Sequence, residues 1–89
     1  MKKDELLIII GNRIKELREE KQLSLQDLCD MCDFEKPNLV RMEKGRTNPT
    51  LWTLFRISEA LNISLKDITD IEKIIERTKA NTPSVRHNV

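Results

Sequence analysis

The chain has 89 residues, which suits one domain and leaves no room for a second, ligand-sensing domain. Charged residues make up 35% of the chain and aromatic residues 3%, a composition that favours a soluble, mostly helical protein over a sheet protein. The formal net charge of +1 excludes an overall basic character. Positive charge is nevertheless concentrated in residues 35–56, which hold five basic and two acidic residues. Residues 1–34 hold six basic and eight acidic residues, and residues 57–89 hold five of each.

The first predicted helix runs from about Asp4 to Lys21 and carries one apolar stripe. Apolar residues recur on it at spacings of four, four and three, at Leu6, Ile10, Ile14 and Leu17. Charged residues occupy the remaining faces, at Arg13, Lys15, Glu16, Arg18, Glu19 and Glu20. Gly11 costs up to about 1 kcal/mol relative to alanine, so a start nearer Ile10 is an open alternative. Residues 7–9 exceed what one stripe needs, and we expect them to cover another surface of this chain or of a partner.

The apolar run Leu6–Ile10 is too short for a signal peptide and is followed by charge rather than by a small-residue cleavage site. It is also far below the roughly 20 residues that a bilayer span needs. We therefore predict no targeting segment, no membrane contact and a cytoplasmic location.

The second predicted helix spans about Leu25 to Cys32. Ser24, with Asp27 three positions later, has the spacing of a capping box, in which the hydroxyl and the carboxylate each accept a backbone N–H. Asp33 follows the helix and tolerates the left-handed conformation that ends it.

The two cysteines, Cys29 and Cys32, cannot supply the four ligands of a structural zinc site. A redox motif would follow a strand, and none is readable here. Both sulfurs fall on or beside the apolar face of the second helix, so we expect reduced, buried thiols and predict neither a metal nor a cofactor.

The third predicted helix starts near Lys36, with Pro37 in its first turn, and ends at Gly45. Leu39 and Met42 point to the core together with Phe34. The opposite face carries Lys36, Pro37, Asn38, Val40, Arg41 and Lys44.

A fourth helix is predicted over Leu51–Leu61, capped by Thr50 and stopped by Asn62 in the left-handed region. Its inward stripe is Leu51, Leu54, Ile57 and Leu61. Ser64 and Asp67 repeat the capping pattern and open a fifth helix that continues through Ile75. Residues 80–89 have no apolar period and are predicted to form a flexible tail, which leaves residues 1–79 as one domain.

Four segments in this order resemble one known family. They are Ile14-Lys-Glu-Leu17-Arg18, Leu23-Ser-Leu-Gln-Asp-Leu28-Cys29, Leu39-Val-Arg41-Met-Glu43-Lys-Gly45, and Asn48-Pro-Thr-Leu51 with Leu54, Ile57 and Ala60-Leu61-Asn-Ile63-Ser. The chain resembles the lambda-repressor-like domain of the Cro/CI, or XRE, family of bacterial and phage regulators over about Ile10 to Ile68. The resemblance implies an all-α, five-helix DNA-binding domain with a central helix-turn-helix.

In that family the third helix lies in the major groove and its outward N-terminal part reads base edges. The resemblance implies this role for Lys36, Pro37, Asn38 and Arg41. Lys36 and Arg41 can donate to guanine O6 and N7, whereas Pro37 has no donor and offers only apolar contact, for example with a thymine methyl group. The alternative is an ordinary solvated, charged helix face.

Phosphate contacts are expected at two places, the start of the second helix and the loop after the third. The candidates are Ser24 and Gln26, and then Lys44, Arg46, Thr47 and Asn48. Arg18 and Glu43 match a family pair that forms a salt bridge between the first and third helices, and the resemblance implies that they brace the reading helix. Arg18 as a phosphate contact is an alternative, and it could do both.

One recognition helix reads few base pairs, so such proteins pair two helices about 34 Å apart on a palindrome. The candidate dimer contacts are Trp52, Ile68, Ile71, Ile74 and Ile75. Packing of these isoleucines against residues 7–9 within one chain is an equal alternative.

No catalytic arrangement is visible, because the single histidine lies in the tail and no serine or cysteine has a base at motif spacing. The sequence predicts a sequence-specific regulator of transcription, a repressor or autoregulator, that binds double-stranded DNA as a homodimer and takes no small-molecule ligand. The other hypothesis is a protein-interaction module, such as an antitoxin that covers a toxin. Selection of DNA from random sequence discriminates the two.

Overall fold

Six α-helices in chain order build residues 1–80, the part that this computed structural model describes, with side chains through Arg77. They are α1 Lys3–Glu20, α2 Leu25–Cys32, α3 Lys36–Glu43, α4 Leu51–Leu61, α5 Leu65–Thr69 and α6 Ile71–Ala80. No strand occurs within this range, so the predicted all-α class is confirmed. The predicted tail lies outside the described residues, apart from Ala80, which ends α6.

The predicted fifth helix is in fact two helices, and the expected count of five was wrong. Asp70 interrupts it with backbone angles φ −76° and ψ 77°, and its own N–H donates to the Lys66 carbonyl at 2.9 Å. Its carboxylate accepts the Lys73 N–H at 3.4 Å, as a capping aspartate does at the start of a helix. Asp70 therefore ends α5 and begins α6, because its side chain competes for backbone donors.

The core lies where α1, α2, α3, α4 and α5 meet. Its buried apolar residues are Ile10, Ile14, Leu17, Leu28, Cys29, Cys32, Leu39, Met42, Ile57, Leu61 and Ile68. Two residues predicted to point inward do not: Leu6 is 37% exposed and Leu51 is 68% exposed. Both stand in the first turn of their helices, and each helix enters the core only one turn later.

Gly11 lies where α1 closely approaches the last residues of α3. A Cβ atom on Gly11 would lie 2.4 Å from the Met42 carbonyl oxygen and 2.7 Å from that of Glu43, both on α3. The helix runs through Gly11 without a break, so the alternative start near Ile10 was wrong. The glycine lowers helix propensity but lets the two backbones touch.

Gly45 makes a second contact between these two segments. Its φ of +73° is in the left-handed region, and a Cβ there would lie 2.7 Å from Cα of Ile8. Ile8 itself is 49% exposed, whereas Leu7 and Ile9 are half-buried. The apolar N-terminal run of α1 therefore covers the end of α3 only in part.

Arg13 is buried, contrary to its predicted place on a solvated face. Its Nε donates to the Asp67 carbonyl oxygen at 2.8 Å, and its guanidinium pairs with Glu16. Arg13 thus links α1 to α5. Its spacing of three from Ile10 and four from Leu17 places it on the apolar face, which the periodicity could have revealed.

Candidate DNA interface

The turn between α2 and α3 sets the direction of α3 relative to the rest of the domain. Asp33 adopts φ 57° and ψ 44°, and the following Phe34 N–H donates to the Cys29 carbonyl at 2.9 Å. Phe34 is half-buried against the core, and the Arg56 guanidinium lies 5.1 Å from its ring centroid, a cation–π distance. Arg56 also donates to the Cys32 carbonyl. The turn is therefore held from α4 as well as by its own backbone.

The start of α2 is capped by hydrogen bonds between neighbouring residues. Ser24 Oγ accepts the Asp27 N–H at 3.0 Å, and the Asp27 carboxylate accepts the Ser24 N–H at 2.8 Å. Hydrogen bonding of the Asp27 carboxylate to Ser24, first to its backbone N–H and then to its hydroxyl, lowers the pKa of Asp27 below its usual value. Gln26 Nε2 donates to Asp30 at 2.8 Å. Both phosphate candidates on α2 are thus bonded within the helix.

A buried ion pair joins α1 to the last turn of α3. Arg18 Nε donates to Glu43 Oε2 at 2.8 Å and Arg18 Nη2 donates to Glu43 Oε1 at 3.1 Å, the bidentate geometry that a guanidinium favours. Each residue is only 7% exposed. Arg18 Nη1 also donates to the Leu23 carbonyl at 2.6 Å. The hydrogen bonds that Arg18 donates to Glu43 raise the pKa of Arg18, so the guanidinium stays charged.

The outward face of α3 carries the candidate base-reading residues, and all four are exposed: Lys36, Pro37, Asn38 and Arg41. The Arg41 guanidinium donates to Asn38 Oδ1, one turn back along the helix. That bond directs Arg41 along the helix toward its N-terminal end. It also leaves the Asn38 amide nitrogen as the outward donor.

The loop after α3 carries the second group of phosphate candidates. Lys44, Arg46 and Asn48 are exposed, and Thr47 is half-buried. The left-handed Gly45 turns the chain at the end of the helix, and the Arg46 N–H donates to the Arg41 carbonyl at 2.9 Å. The cations of this loop therefore continue the outward face of α3.

Residues 14–68 match the helix-turn-helix family model HTH_3, which covers more than half of the chain. The chain belongs to the HTH_3 helix-turn-helix family. This HTH_3 chain carries the DNA-binding domain of a transcriptional regulator, as its sequence predicted.

Two relatives are similar in sequence to this chain over most of its length. The transcriptional regulator DdrOP3 of Deinococcus deserti is 36% identical over 58 residues, which are 65% of the chain and 45% of DdrOP3. The immunity repressor protein of Bacillus phage phi105 is 32% identical over 71 residues, 80% of the chain and 49% of the repressor. The HTH_3 chain therefore spans about half the length of these two relatives.

The restriction-modification controller protein C.AhdI from Aeromonas hydrophila has the same fold. Its crystal structure gives a TM-score of 0.68 at 27% identity, over 70% of the HTH_3 chain and 94% of C.AhdI. These three proteins are named as a regulator, a repressor and a controller, which agrees with the prediction that this chain is not an enzyme.

The candidate dimer residues do not form one surface. Ile68 is 0% exposed and belongs to the core, so its assignment to an interface was wrong. The break at Asp70 shifts the helical phase, and Ile71, Ile74 and Ile75 are half-buried.

An apolar surface that the sequence did not identify as a unit lies across α4 and α5. Leu51, Trp52, Phe55 and Leu65 line one shallow depression. Trp52 is 64% and Phe55 40% exposed, and their ring centroids are 6.0 Å apart in a stacked arrangement. We call these four residues the α4–α5 apolar surface. Their spacing of three and four on α4 was readable, but Leu51 had been assigned to the core.

Cys29 and Cys32 are buried, as predicted, and burial raises the pKa of both thiols. Within residues 1–80 no group of three or more histidine, cysteine, aspartate or glutamate residues is placed to hold a metal ion. No helix in that range is long and apolar enough to cross a membrane.

Proposed function

We propose that this chain binds a specific double-stranded DNA sequence through the outward face of α3 and represses transcription, as a homodimer on a palindromic operator. The observation that carries the proposal is the exposed set Lys36, Asn38 and Arg41 on a helix anchored from behind by a buried ion pair. A solvated face needs no such anchor, whereas base reading needs side chains held in position.

The chemistry of α3 suits the major groove. The guanidinium of Arg41 matches the O6 and N7 acceptors of guanine, and the amide of Asn38 can donate to a base acceptor while its oxygen accepts from Arg41. Lys36 adds a point charge near the start of the helix, and Pro37 offers apolar contact to a thymine methyl. Lys44, Arg46, Thr47 and Asn48 supply phosphate contacts that set the register.

The test is selection of bound duplexes from random sequence, followed by gel shifts with Arg41→Ala. We expect one sequence to be enriched. Arg41→Ala should reduce discrimination at a single base pair by about 1 to 3 kcal/mol, roughly 5- to 150-fold, because a bidentate contact is lost. Arg77→Ala on α6 removes the same charge away from α3 and should leave discrimination unchanged. If no sequence is enriched and Arg41→Ala has no effect, the protein-interaction hypothesis replaces this one.

The dimer contact that we propose is the α4–α5 apolar surface against the same surface of a second copy. A palindrome requires a two-fold contact, and an isologous interface uses one patch twice. Trp52 and Phe55 are the kind of exposed aromatic residues that anchor interfaces.

Trp52→Glu should weaken self-association by about 30-fold or more, because it puts a charge at an aromatic anchor. Sedimentation equilibrium measures the change. Met31→Glu, at an exposed apolar position of α2, is the matched control and should dimerise normally. If Trp52→Glu dimerises like the unsubstituted chain, the interface lies elsewhere.

A further inference from the structure

A cleft open to solvent lies between α1 and the C-terminal half of α3. Its lining comes from α1, the first residue of α2, α3 and the loop after it: Asn12, Lys15, Arg18, Leu25, Val40, Glu43, Lys44 and Arg46. The Arg18–Glu43 ion pair is part of this lining, and the two charges cancel each other. Lys15, Lys44 and Arg46 are exposed and remain as cations. The cleft therefore has a net positive charge.

The cleft is continuous with the outward face of α3. Val40 lies on α3, three residues after Pro37, and Lys44 is the C-cap of the helix, one turn after Val40. A side chain one turn along a helix lies on the same face, so the cleft borders the base-reading residues on the side of α1. When α3 lies in the major groove, one sugar-phosphate backbone of the DNA runs along the side of α3 that faces this cleft.

The start of α2, where a phosphate was expected, offers no cation. Ser24 Oγ accepts the Asp27 N–H, and Gln26 Nε2 donates to Asp30. Leu25 between them is apolar and forms part of the cleft wall. Cations for a phosphate on this side of α3 therefore come from α1 and from the end of α3, and Lys15 is the only exposed cation that α1 contributes to the cleft.

We propose that this cleft holds one phosphate of the DNA backbone, bound by Lys15 of α1 together with Lys44 and Arg46, with Asn12 as an amide donor. The inference rests on the proposed DNA binding and assigns α1 a direct contact with DNA. The neighbouring depression of α1 is acidic, with Glu16, Glu19 and Glu20 beside Lys15, so the anion is favoured only on the α3 side.

The first test compares Lys15→Ala with Lys66→Ala, which removes the same charge from an exposed position of α5. Affinity is measured against salt concentration on the selected site and on a random duplex. Loss of one phosphate contact should reduce the slope of log K against log salt by about 0.9 on both duplexes, without changing the preferred sequence. Lys66→Ala should leave the slope unchanged. Equal slopes for the two variants would overturn the proposal.

The second test replaces single phosphates of the site by neutral methylphosphonates. One position in each half-site should weaken binding of the unsubstituted chain and have no further effect on Lys15→Ala, because the contact is already lost. If every position weakens both proteins equally, the cleft holds no phosphate. These tests of the cleft are independent of the test of sequence-specific binding. Failure to enrich a sequence rejects specific binding, whereas the random-duplex slopes still test the cleft.

Discussion

Replacing Arg18 by alanine is expected to lower the free energy of unfolding by about 3 to 5 kcal/mol. The substitution leaves the Glu43 carboxylate, which is only 7% exposed, without the two hydrogen bonds from the guanidinium. It also removes the donor to the Leu23 carbonyl. A domain of this size has a total stability of about 5 to 15 kcal/mol, so the loss should bring the variant close to unfolding. Urea denaturation followed by circular dichroism measures it.

The matched control for this substitution is Arg77→Ala, which removes an exposed arginine and should cost little. A double variant, Arg18→Met with Glu43→Leu, should recover most of the lost stability, because an apolar pair of similar volume leaves no buried charge unpaired. A loss below about 1 kcal/mol for Arg18→Ala would mean that the pair behaves like an exposed salt bridge, and the anchoring of α3 would need another explanation.

Gly11→Ala should destabilise the domain even though alanine is the better helix former. Helix propensity favours the substitution by up to about 1 kcal/mol. The new Cβ, however, would lie 2.4 Å from the Met42 carbonyl oxygen, and this backbone atom cannot move without shifting α3. We expect a net loss of about 1 kcal/mol, since overpacking typically costs about 1 to 3 kcal/mol and the gain in helix propensity offsets up to about 1 kcal/mol of it.

Thermal unfolding tests this expectation, with a fall in Tm of roughly 4 to 8 °C for each kcal/mol lost. Glu20→Ala, at an exposed position near the end of α1, is the control for helix propensity and should not lower Tm. Gly11→Val should be worse than Gly11→Ala because it adds two more carbon atoms at the contact. A rise in Tm for Gly11→Ala would show that the two helices can separate at no cost.

Local chemistry made much of the fold predictable. The bounds of α2 and α4 were predicted to the residue, because Ser24 and Thr50 cap their starts and Asp33 and Asn62 take the left-handed conformation at their ends. Such signals depend on neighbours within four positions, so they can be read from the sequence.

What could not be predicted depends on contacts between distant segments. The role of Gly11 as a contact point requires α3 to lie against it, and the hydrogen-bond partner of the buried Arg13 is the Asp67 carbonyl, 54 positions away along the chain. Asp70 was readable as a cap, but the isoleucine spacing across it favoured one continuous helix. At Gly11 a local preference was overruled by tertiary structure, whereas the break at Asp70 comes from a local cap that competed with the isoleucine spacing.

The candidate site, like the fold, could be predicted only in part from the sequence. The periodicity of α3 was sufficient to predict its outward residues, whereas the cleft beside it, which includes Lys15 of α1, appears only once the two helices are packed. The internal bonds of Gln26 with Asp30 and of Arg41 with Asn38 have spacings of four and three, so they were open to prediction from the sequence.

With only eight residues, α3 is too short to be helical by itself in water. Its shape is supplied by the side of α1 that presents Gly11 and Arg18, so the helix exists only while the whole domain is folded. On the proposed function, thermal stability and DNA sequence preference are therefore set by different residues. Substitutions at the contact between α1 and α3 would change the temperature at which the domain unfolds, and substitutions of Lys36, Asn38 and Arg41 would change the DNA sequence that it prefers.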